Sequence, residues 1–483
     1  MQAAAIQRIL GLLLMIFSGT LLPPILISLL YRDGALHAFI DALLIILTSG
    51  FLLWLPARKH RRELRLRDGF LVVVLFWTVL GLVGAVPFML AHHPHMSFTD
   101  AVFESFSGLT TTGATVITGI DDLPRSILFY RQELQWLGGM GIIVLAVAVL
   151  PMLGIGGMQL FRAETPGPIK DNKLTPRITE TAKALWILYL GLTIACALAY
   201  WHAGMGPFDA LAHSFSTVAI GGFSTHDASI GHFENPAIEF VAIVFMFLSG
   251  INFALHFMAW RQLDPRPYLQ DSEFRTYVLL LGMAALVTVL YLIHTGTYDS
   301  AYDAFHHGLF QVVSIGTTTG FTTTSYHVWP GFLPVLLLFA SFIGGCAGST
   351  GGGMKVIRFL LLIKQGAREI TRLVHPNAMV PVKINRQPVN DRIIDAVWGF
   401  FATYVACFAL MMLALMATGL DQITAFSAVA ACINNLGPGL GEVALHYRDI
   451  NDAAKWILTL AMLLGRLEIF TLLVLISPVF WRR

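Results

Sequence analysis

Four stretches of this chain combine short hydroxyl side chains with glycine in a pattern that could hold a cation. They read FESFSGLTTTGAT (103–115), AHSFSTVAIGGFST (212–225), LFQVVSIGTTTGFTT (309–323) and AVAACINNLGPGL (428–440). Aligning Gly113, Gly222, Gly320 and Gly437 separates them by 109, 98 and 117 residues, so one unit recurs four times. Each stretch offers peptide carbonyls. Thr hydroxyls flank the first and third glycines, and no carboxylate sits in the turns. Neutral oxygens suit a monovalent cation better than a divalent one, whose sites are built from carboxylates. Glycine admits backbone angles closed to other residues. One Thr/Gly stretch beside an apolar run reads as helix packing; four in phase, each between two apolar runs, read as ligands.

A second constellation is Gly344-Gly345-Cys346-Ala347-Gly348-Ser349-Thr350-Gly351-Gly352-Gly353. Each glycine costs a helix about 1 kcal/mol relative to Ala. Six in ten residues must therefore break the apolar run 332–363. By depth the break lies below the four turns, where a loop can obstruct a pore and move aside. A Gly-lined helix crossing accounts for two or three glycines rather than six. Counting from each aligned glycine to the middle of the next apolar run reaches Gly139, Gly250, Gly345 and Arg466. A lone Arg inside such a run is costly and faces a cavity or a partner. Facing the Gly-rich loop, Arg466 could donate to its free carbonyls, hold it closed and repel cations. A local pair with Glu468 is disfavoured, because positions i and i+2 on a helix do not face each other.

Other chemistry is thinner. Gly437-Pro438-Gly439-Leu440-Gly441 resembles a nucleotide loop but follows no hydrophobic strand, and no dinucleotide fingerprint occurs. Nucleotide control would have to come from another protein, and no cofactor is expected in this chain. Ser349 with His256 as base would make an intramembrane serine protease, a remote alternative that leaves the four turns without purpose. His92, His93 and His95 are read as a solvated loop in preference to a metal site. Cys196, Cys346, Cys407 and Cys432 lie in apolar or Gly-rich stretches with no CxxC pair, so neither disulfides nor zinc follow.

The elements that carry these residues follow from composition. Of 483 residues, 56% are hydrophobic and only 12% charged, and mean hydropathy is +0.70. A soluble protein carries about 25% charged residues, so this chain could not cover a water-facing surface. A cytosolic enzyme and a disordered protein are excluded, and a net charge of +2 gives no reason to expect a nucleic acid partner. Apolar runs of membrane-crossing length, about 20 residues, occur near 6–31, 36–56, 70–91, 127–150, 184–202, 236–260, 276–294, 332–363, 393–418 and 455–480. The expected fold class is an all-α integral membrane protein of ten transmembrane helices. Lys and Arg concentrate in the loop 58–67, in 161–183 and in 364–392, and are absent from 203–235 and 295–333. Positive charge marks the cytoplasmic side, so both termini are placed in the cytoplasm and the bare loops outside. Those outer loops instead carry acids such as Asp121, Asp122, Asp209, Asp227, Glu234, Asp299, Asp303 and Asp421. Summed, this bias would concentrate cations at a pore mouth.

About 9–13 residues of helical character precede each aligned glycine, too few to cross a bilayer. They suit half-membrane helices that descend from outside and return as extended strands. Asp100, Asp209 and Thr424, with Asp303 in the third unit, are read as their N-caps. Extended backbone at membrane depth is tolerated only inside protein or beside a water-filled cavity. Four such strands around one axis could replace a cation's water shell with carbonyl oxygens.

At this point the residues resemble the Trk/Ktr/HKT superfamily of potassium transporters, specifically its bacterial TrkH-type branch of potassium uptake subunits. The resemblance rests on TTTGAT, IGGFST, TTTGFTT and NNLGPGL. Further matches are YRQELQWLGGMGIIVLAVAVLPMLG (130–154), GGMQLFRAETPGPIKD (156–171), FIGGCAGSTGGGMKVIR (342–358), VHPNA (374–378) and GRLEIFTLLVL (465–475), covering essentially the whole chain. It implies four M1–P–M2 repeats around one central pore, at 70–160, 161–264, 265–385 and 386–483, after an N-terminal two-span domain at 1–69. It implies a selectivity filter of Thr111-Thr112-Gly113, Ile220-Gly221-Gly222, Thr318-Thr319-Gly320 and Asn435-Leu436-Gly437, with potassium as the transported ion. The fourth triplet lacks Thr, so a less symmetric site is expected, and a weakly selective, sodium-permeable channel is the alternative. The Gly-rich loop 344–353 corresponds to the family's intramembrane gate. The implied setting is a homodimer in the bacterial inner membrane, paired with a cytoplasmic TrkA-type nucleotide-binding ring. The basic segments 161–183 and 364–392 are either its docking surface or topology signals.

Overall fold

The structure is a computed structural model that describes residues 2–60, 66–141, 178–467 and 469–482. The sequence-based expectations for 142–150, for Glu468 and for nearly all of 161–183 lie outside the described residues.

The described chain is helical apart from loops and one two-stranded hairpin, Lys383–Ile384 paired antiparallel with Gln387–Pro388. Among the described residues, six helices are long and apolar enough to cross a membrane: Ala3–Tyr31, Leu36–Ala57, Arg67–Leu90, Lys183–His202, Ser272–Thr295 and Asp391–Ala417. Counting each of two bent pairs as one span gives up to eight. One pair, Pro236–Ser249 and Phe253–Gln262, is bent by 95°, where the sequence suggested one continuous run. The bend is built by Asn252, whose side chain accepts the Ala254 N–H and so starts a new helix. The run 332–363 is split into Leu333–Ile343 and Val356–Val374, with the Gly-rich loop between them.

The long helices keep large apolar side chains on their outward faces, among them Leu52, Leu279, Leu286, Leu410 and Leu413. A helix apolar all round needs either protein or lipid about it, and here the inner faces form the core. The first two long helices meet at glycines. A methyl group at Gly11 would lie 2.7 Å from the Gly50 carbonyl oxygen, and one at Gly50 would lie 2.9 Å from that of Gly11. Small residues at such a crossing let backbones approach where no hydrophobic force joins helices in lipid.

Four short helices, Phe98–Leu109, Pro207–Val218, Ala301–Gly316 and Gln422–Ile433, lie between the long ones. Their N-caps correct the expectation from sequence. Ser97, Gly206, Ser300 and Asp421 occupy the cap positions, three residues before Asp100, Asp209, Asp303 and Thr424. Ser97 Oγ accepts the Asp100 N–H and donates to the Asp100 carboxylate, so the cap satisfies one N-terminal N–H of the helix. The acids sit in the first turn, where the helix dipole favours negative charge.

Candidate functional site: a four-strand ring above a glycine-rich loop

Each short helix ends in the same turn. Thr111, Ile220, Thr318 and Asn435 are left-handed, with φ of 56°, 54°, 71° and 53°. Their N–H groups bond the carbonyls of Gly108, Thr217, Ile315 and Cys432. The next N–H reaches five residues back, from Thr112 to Ser107, Gly221 to Ser216, Thr319 to Ser314 and Leu436 to Ala431, each at 2.8 Å. This is a Schellman motif, whose left-handed position usually holds glycine. Here three of the four are β-branched, for which that conformation is an outlier costing about 1–2 kcal/mol. Such strain persists only where the surroundings over-determine it, and it clusters at ligand clamps. The aligned glycines follow two residues later, with φ of 81°, 79°, 85° and 97°. The fourth strand repeats the backbone of the other three although it lacks Thr, because the turn is held by main-chain bonds.

The strands close on one another. A methyl group at Gly113 would strike the carbonyl oxygen of Gly221, one at Gly222 that of Thr319, one at Gly320 that of Leu436 and one at Gly437 that of Thr112. The order first–second–third–fourth–first is a ring, and no side chain fits at any of its four junctions. All twelve triplet residues thus come together. Of their carbonyls, Gly221 accepts from Gln135 Nε2 at 2.6 Å and Gly437 from Tyr447 Oη at 2.7 Å. The other ten accept no hydrogen bond among the described residues. Buried backbone carbonyls are normally paired.

A polar cradle behind the ring fixes the strands. Arg131 pairs with Glu104 at 2.8 Å, with side chains 1% and 0% exposed. Arg131 also donates to the Ser224 carbonyl and to Thr115 Oγ1, and the Glu104 carboxylate accepts from Thr115 and from the Val116 N–H. One ion pair therefore ties the first return strand to the second. One turn further along the Arg125–Gly139 helix, Gln135 brackets the second strand, donating to Gly221 and accepting from the Phe223 N–H. In the second unit His213, also nine residues before its glycine, bonds Ser224 Oγ at 2.9 Å. The fourth strand is tied to the first by Asn435 Nδ2 on Thr112 Oγ1, and by the Tyr447 N–H on the Thr115 carbonyl. Sequence reasoning missed Glu104, Arg131, Gln135 and His213. The available signal was polar and charged residues in segments that composition places in the membrane, with Arg131 and Gln135 spaced i, i+4 on one face.

The loop 344–353 lies directly against the ring. Gly352 N–H donates to Thr318 Oγ1 at 2.7 Å, and Gly353 N–H to the Asn434 carbonyl at 3.0 Å. Thr350 Oγ1 donates to the Val218 carbonyl at the end of the second short helix. Cys346 N–H bonds the Gly250 carbonyl, and Ala347 N–H bonds the buried Glu273 carboxylate. Gly344, Gly348 and Gly353 take φ near +70°, which the loop path requires. Arg466 reaches this loop. Its Nη1 donates to Thr111 Oγ1 at 3.2 Å and to the Thr350 carbonyl at 3.3 Å, and its Nη2 donates to the Gly138 carbonyl. One guanidinium thus touches the ring, the loop and the helix of the first unit.

Ser349 and His256 do not meet as a nucleophile and base. Ser349 Oγ donates to the Cys346 carbonyl, while His256 uses Nδ1 on Tyr268 Oη and Nε2 on the Leu248 carbonyl. The protease reading is overturned, because both ring nitrogens are committed elsewhere. On the face bearing the short helices' N-termini, Asp121 and His226 bond at 2.5 Å. Burial pushes the Asp121 carboxyl up and His226 pulls it below the usual carboxylate range. Burial lowers the His226 imidazole, and Asp209 and Asp121 lift it above its ordinary value.

The chain has known relatives over its whole length. Residues 35–482 match the family model TrkH, described as a cation transport protein. The chain is 62% identical over 484 residues, covering 100% of both chains, to the "Trk system potassium uptake protein TrkH" of Vibrio parahaemolyticus. It is 57% identical over 482 residues, again covering 100% of both, to the protein of that name from Escherichia coli K12. A solved structure titled as the potassium transporter TrkH from Vibrio parahaemolyticus superposes with a TM-score of 0.91 at 60% identity, covering 100% of each chain. These relatives are named as transport proteins and not as enzymes. With a family model spanning nearly its full length, relatives at about 60% identity and a matching solved fold, the chain belongs to the TrkH family of cation transport proteins.

Proposed function

We propose that this chain takes up potassium across the bacterial inner membrane through a selectivity filter made of the four triplets. The observation that carries the reading is the closed ring of strained strands with ten carbonyls that accept no hydrogen bond among the described residues. Buried carbonyl oxygens replacing a hydration shell are how a neutral filter holds a potassium-sized cation. The names of the relatives, potassium uptake proteins, point the same way. Inward movement down a negative membrane potential gains about 2.3 kcal/mol per 100 mV. The loop 344–353 and Arg466 form the gate beneath the filter. The architecture is ten spans, two N-terminal at 1–69 followed by four repeats, with both termini in the cytoplasm. The chain works as a homodimer under a cytoplasmic TrkA-type regulator. The test is flux from purified protein in liposomes under separate potassium, rubidium and sodium gradients. Potassium and rubidium should pass faster than sodium. Equal rates would favour the weakly selective alternative, and no cation flux would overturn the reading.

A further inference from the structure

We propose that Asp121, His226 and His232 form a binding site for a zinc-like divalent cation at the seam between the first and second units. A bound ion there slows cation entry. One ligand atom from each residue lies within 4.8 Å of the other two. They come from two loops: Asp121 from the 3-10 turn Ile120–Asp122 after the first strand, and the histidines from the segment after the second. Two imidazoles and one carboxylate match the nitrogen and oxygen set that binds zinc with an open fourth position. Calcium and magnesium prefer all-oxygen shells.

The surroundings supply the donors and second carboxylates of a ligand shell, and the His226–Asp121 bond must open to about 3.3 Å, the spacing of two ligands on a tetrahedral zinc ion, when an ion enters. His226 Nδ1 faces Asp121 Oδ1 at 2.5 Å, and its Nε2 faces Asp209 Oδ1 at 3.6 Å. A metal-bound His commonly turns its second nitrogen toward a carboxylate, which fixes the ring. The other Asp121 oxygen accepts the Asp227 N–H, and the Asp227 carboxylate returns bonds to the N–H groups of Gly119 and Asp121. Both loops are therefore locked before any ion arrives. His232 stacks on His226 with centroids 3.5 Å apart and planes within 3°. An ion lies in the plane of its ligand ring, so His232 must tilt out of the stack. It is exposed and makes no hydrogen bond among the described residues, which leaves it free to turn. A dication fastened there bridges two loops of the pore mouth and adds positive charge where cations enter.

The binding claim stands apart from the pore reading, and the inhibitory claim rests on it. Zinc binding to the purified full chain in detergent should show a site that His232→Ala weakens at least tenfold and that Asp121→Asn also weakens. In liposomes without metal, His232→Ala should match the native flux, and zinc added on the loop side should slow the native protein but not the variant. Replacing His92, His93 and His95 together with Ala should leave binding intact. Equal binding by native and His232→Ala protein, or loss of binding in the triple variant, overturns the site. Zinc bound with unchanged flux overturns the inhibitory half alone. A chain that binds zinc yet passes no cation keeps the site and sinks the pore reading.

Discussion

Arg131 and Arg466 are guanidinium groups inside the helical body, each held by oxygen acceptors beside the strand ring. Arg131 is buried against Glu104 and fastens two return strands. Removing one partner of a buried pair leaves an uncompensated charge and costs about 3–5 kcal/mol. Arg131→Ala should therefore lower the thermal melting point markedly in detergent. Adding Glu104→Ala should recover part of the loss, and simple additivity would show the pair to be uncoupled. Arg466 is only partly buried and touches three separate carbonyl or hydroxyl oxygens. Arg466→Ala should raise leak flux in liposomes that lack any regulator. Arg466→Lys should fall between, since an ammonium keeps the charge but loses the planar fork. Unchanged flux in Arg466→Ala would remove its role in closure.

At the scale of elements, the Gly-rich loop is held by a small set of bonds to its neighbours. Thr350 Oγ1 reaches the Val218 carbonyl at 2.9 Å and the Ser249 carbonyl at 3.3 Å. Thr350→Val keeps the shape and deletes these bonds. A typical net hydrogen bond is worth about 1 kcal/mol, so basal potassium flux should rise about fivefold if the loop is the barrier. Flux equal to the native rate would place the barrier elsewhere. The break in the 332–363 run was legible from six glycines, because glycine loses helix stability whatever its surroundings. The bend after Ser249 was not, because Asn252 becomes a cap only once the chain has turned. The N-caps were misplaced by one turn for a related reason. Ser97 and Asp100, or Asp421 and Thr424, are all competent caps by residue type, and the helix packing decides which of them stands at the end.

For the whole molecule, the distribution of Lys and Arg predicts sidedness. Met379 and Leu445 are well exposed on loops that the charge pattern assigns to opposite faces. Cys196, Cys346 and Cys432 are buried and Cys407 is half-buried, so background labelling should be low. An impermeant maleimide should label Leu445→Cys in intact cells, and Met379→Cys only in inverted vesicles. The opposite result would reverse the topology. The ring also needs closure between its two ends in sequence. Beside the Asn435–Thr112 and Tyr447–Thr115 bonds, Lys455 adds to it by pairing with Asp100 at 2.7 Å, 355 residues away.

The sequence by itself determined the local, repeated and costly features: the apolar runs, the four aligned glycines, the loop that cannot be helix, and the one Arg in the last apolar run. Each of these depends on residue type and spacing alone. Tertiary structure decided the rest. Left-handed Thr111, Ile220 and Thr318 are unfavourable locally and persist because neighbouring strands and the loop beneath hold them. The order of strands around the ring, the Glu104–Arg131 tie and the seat of Arg466 join residues up to several hundred positions apart. Spacing along a chain carries no record of such meetings, because they are set by which buried polar groups find partners once the helices have packed.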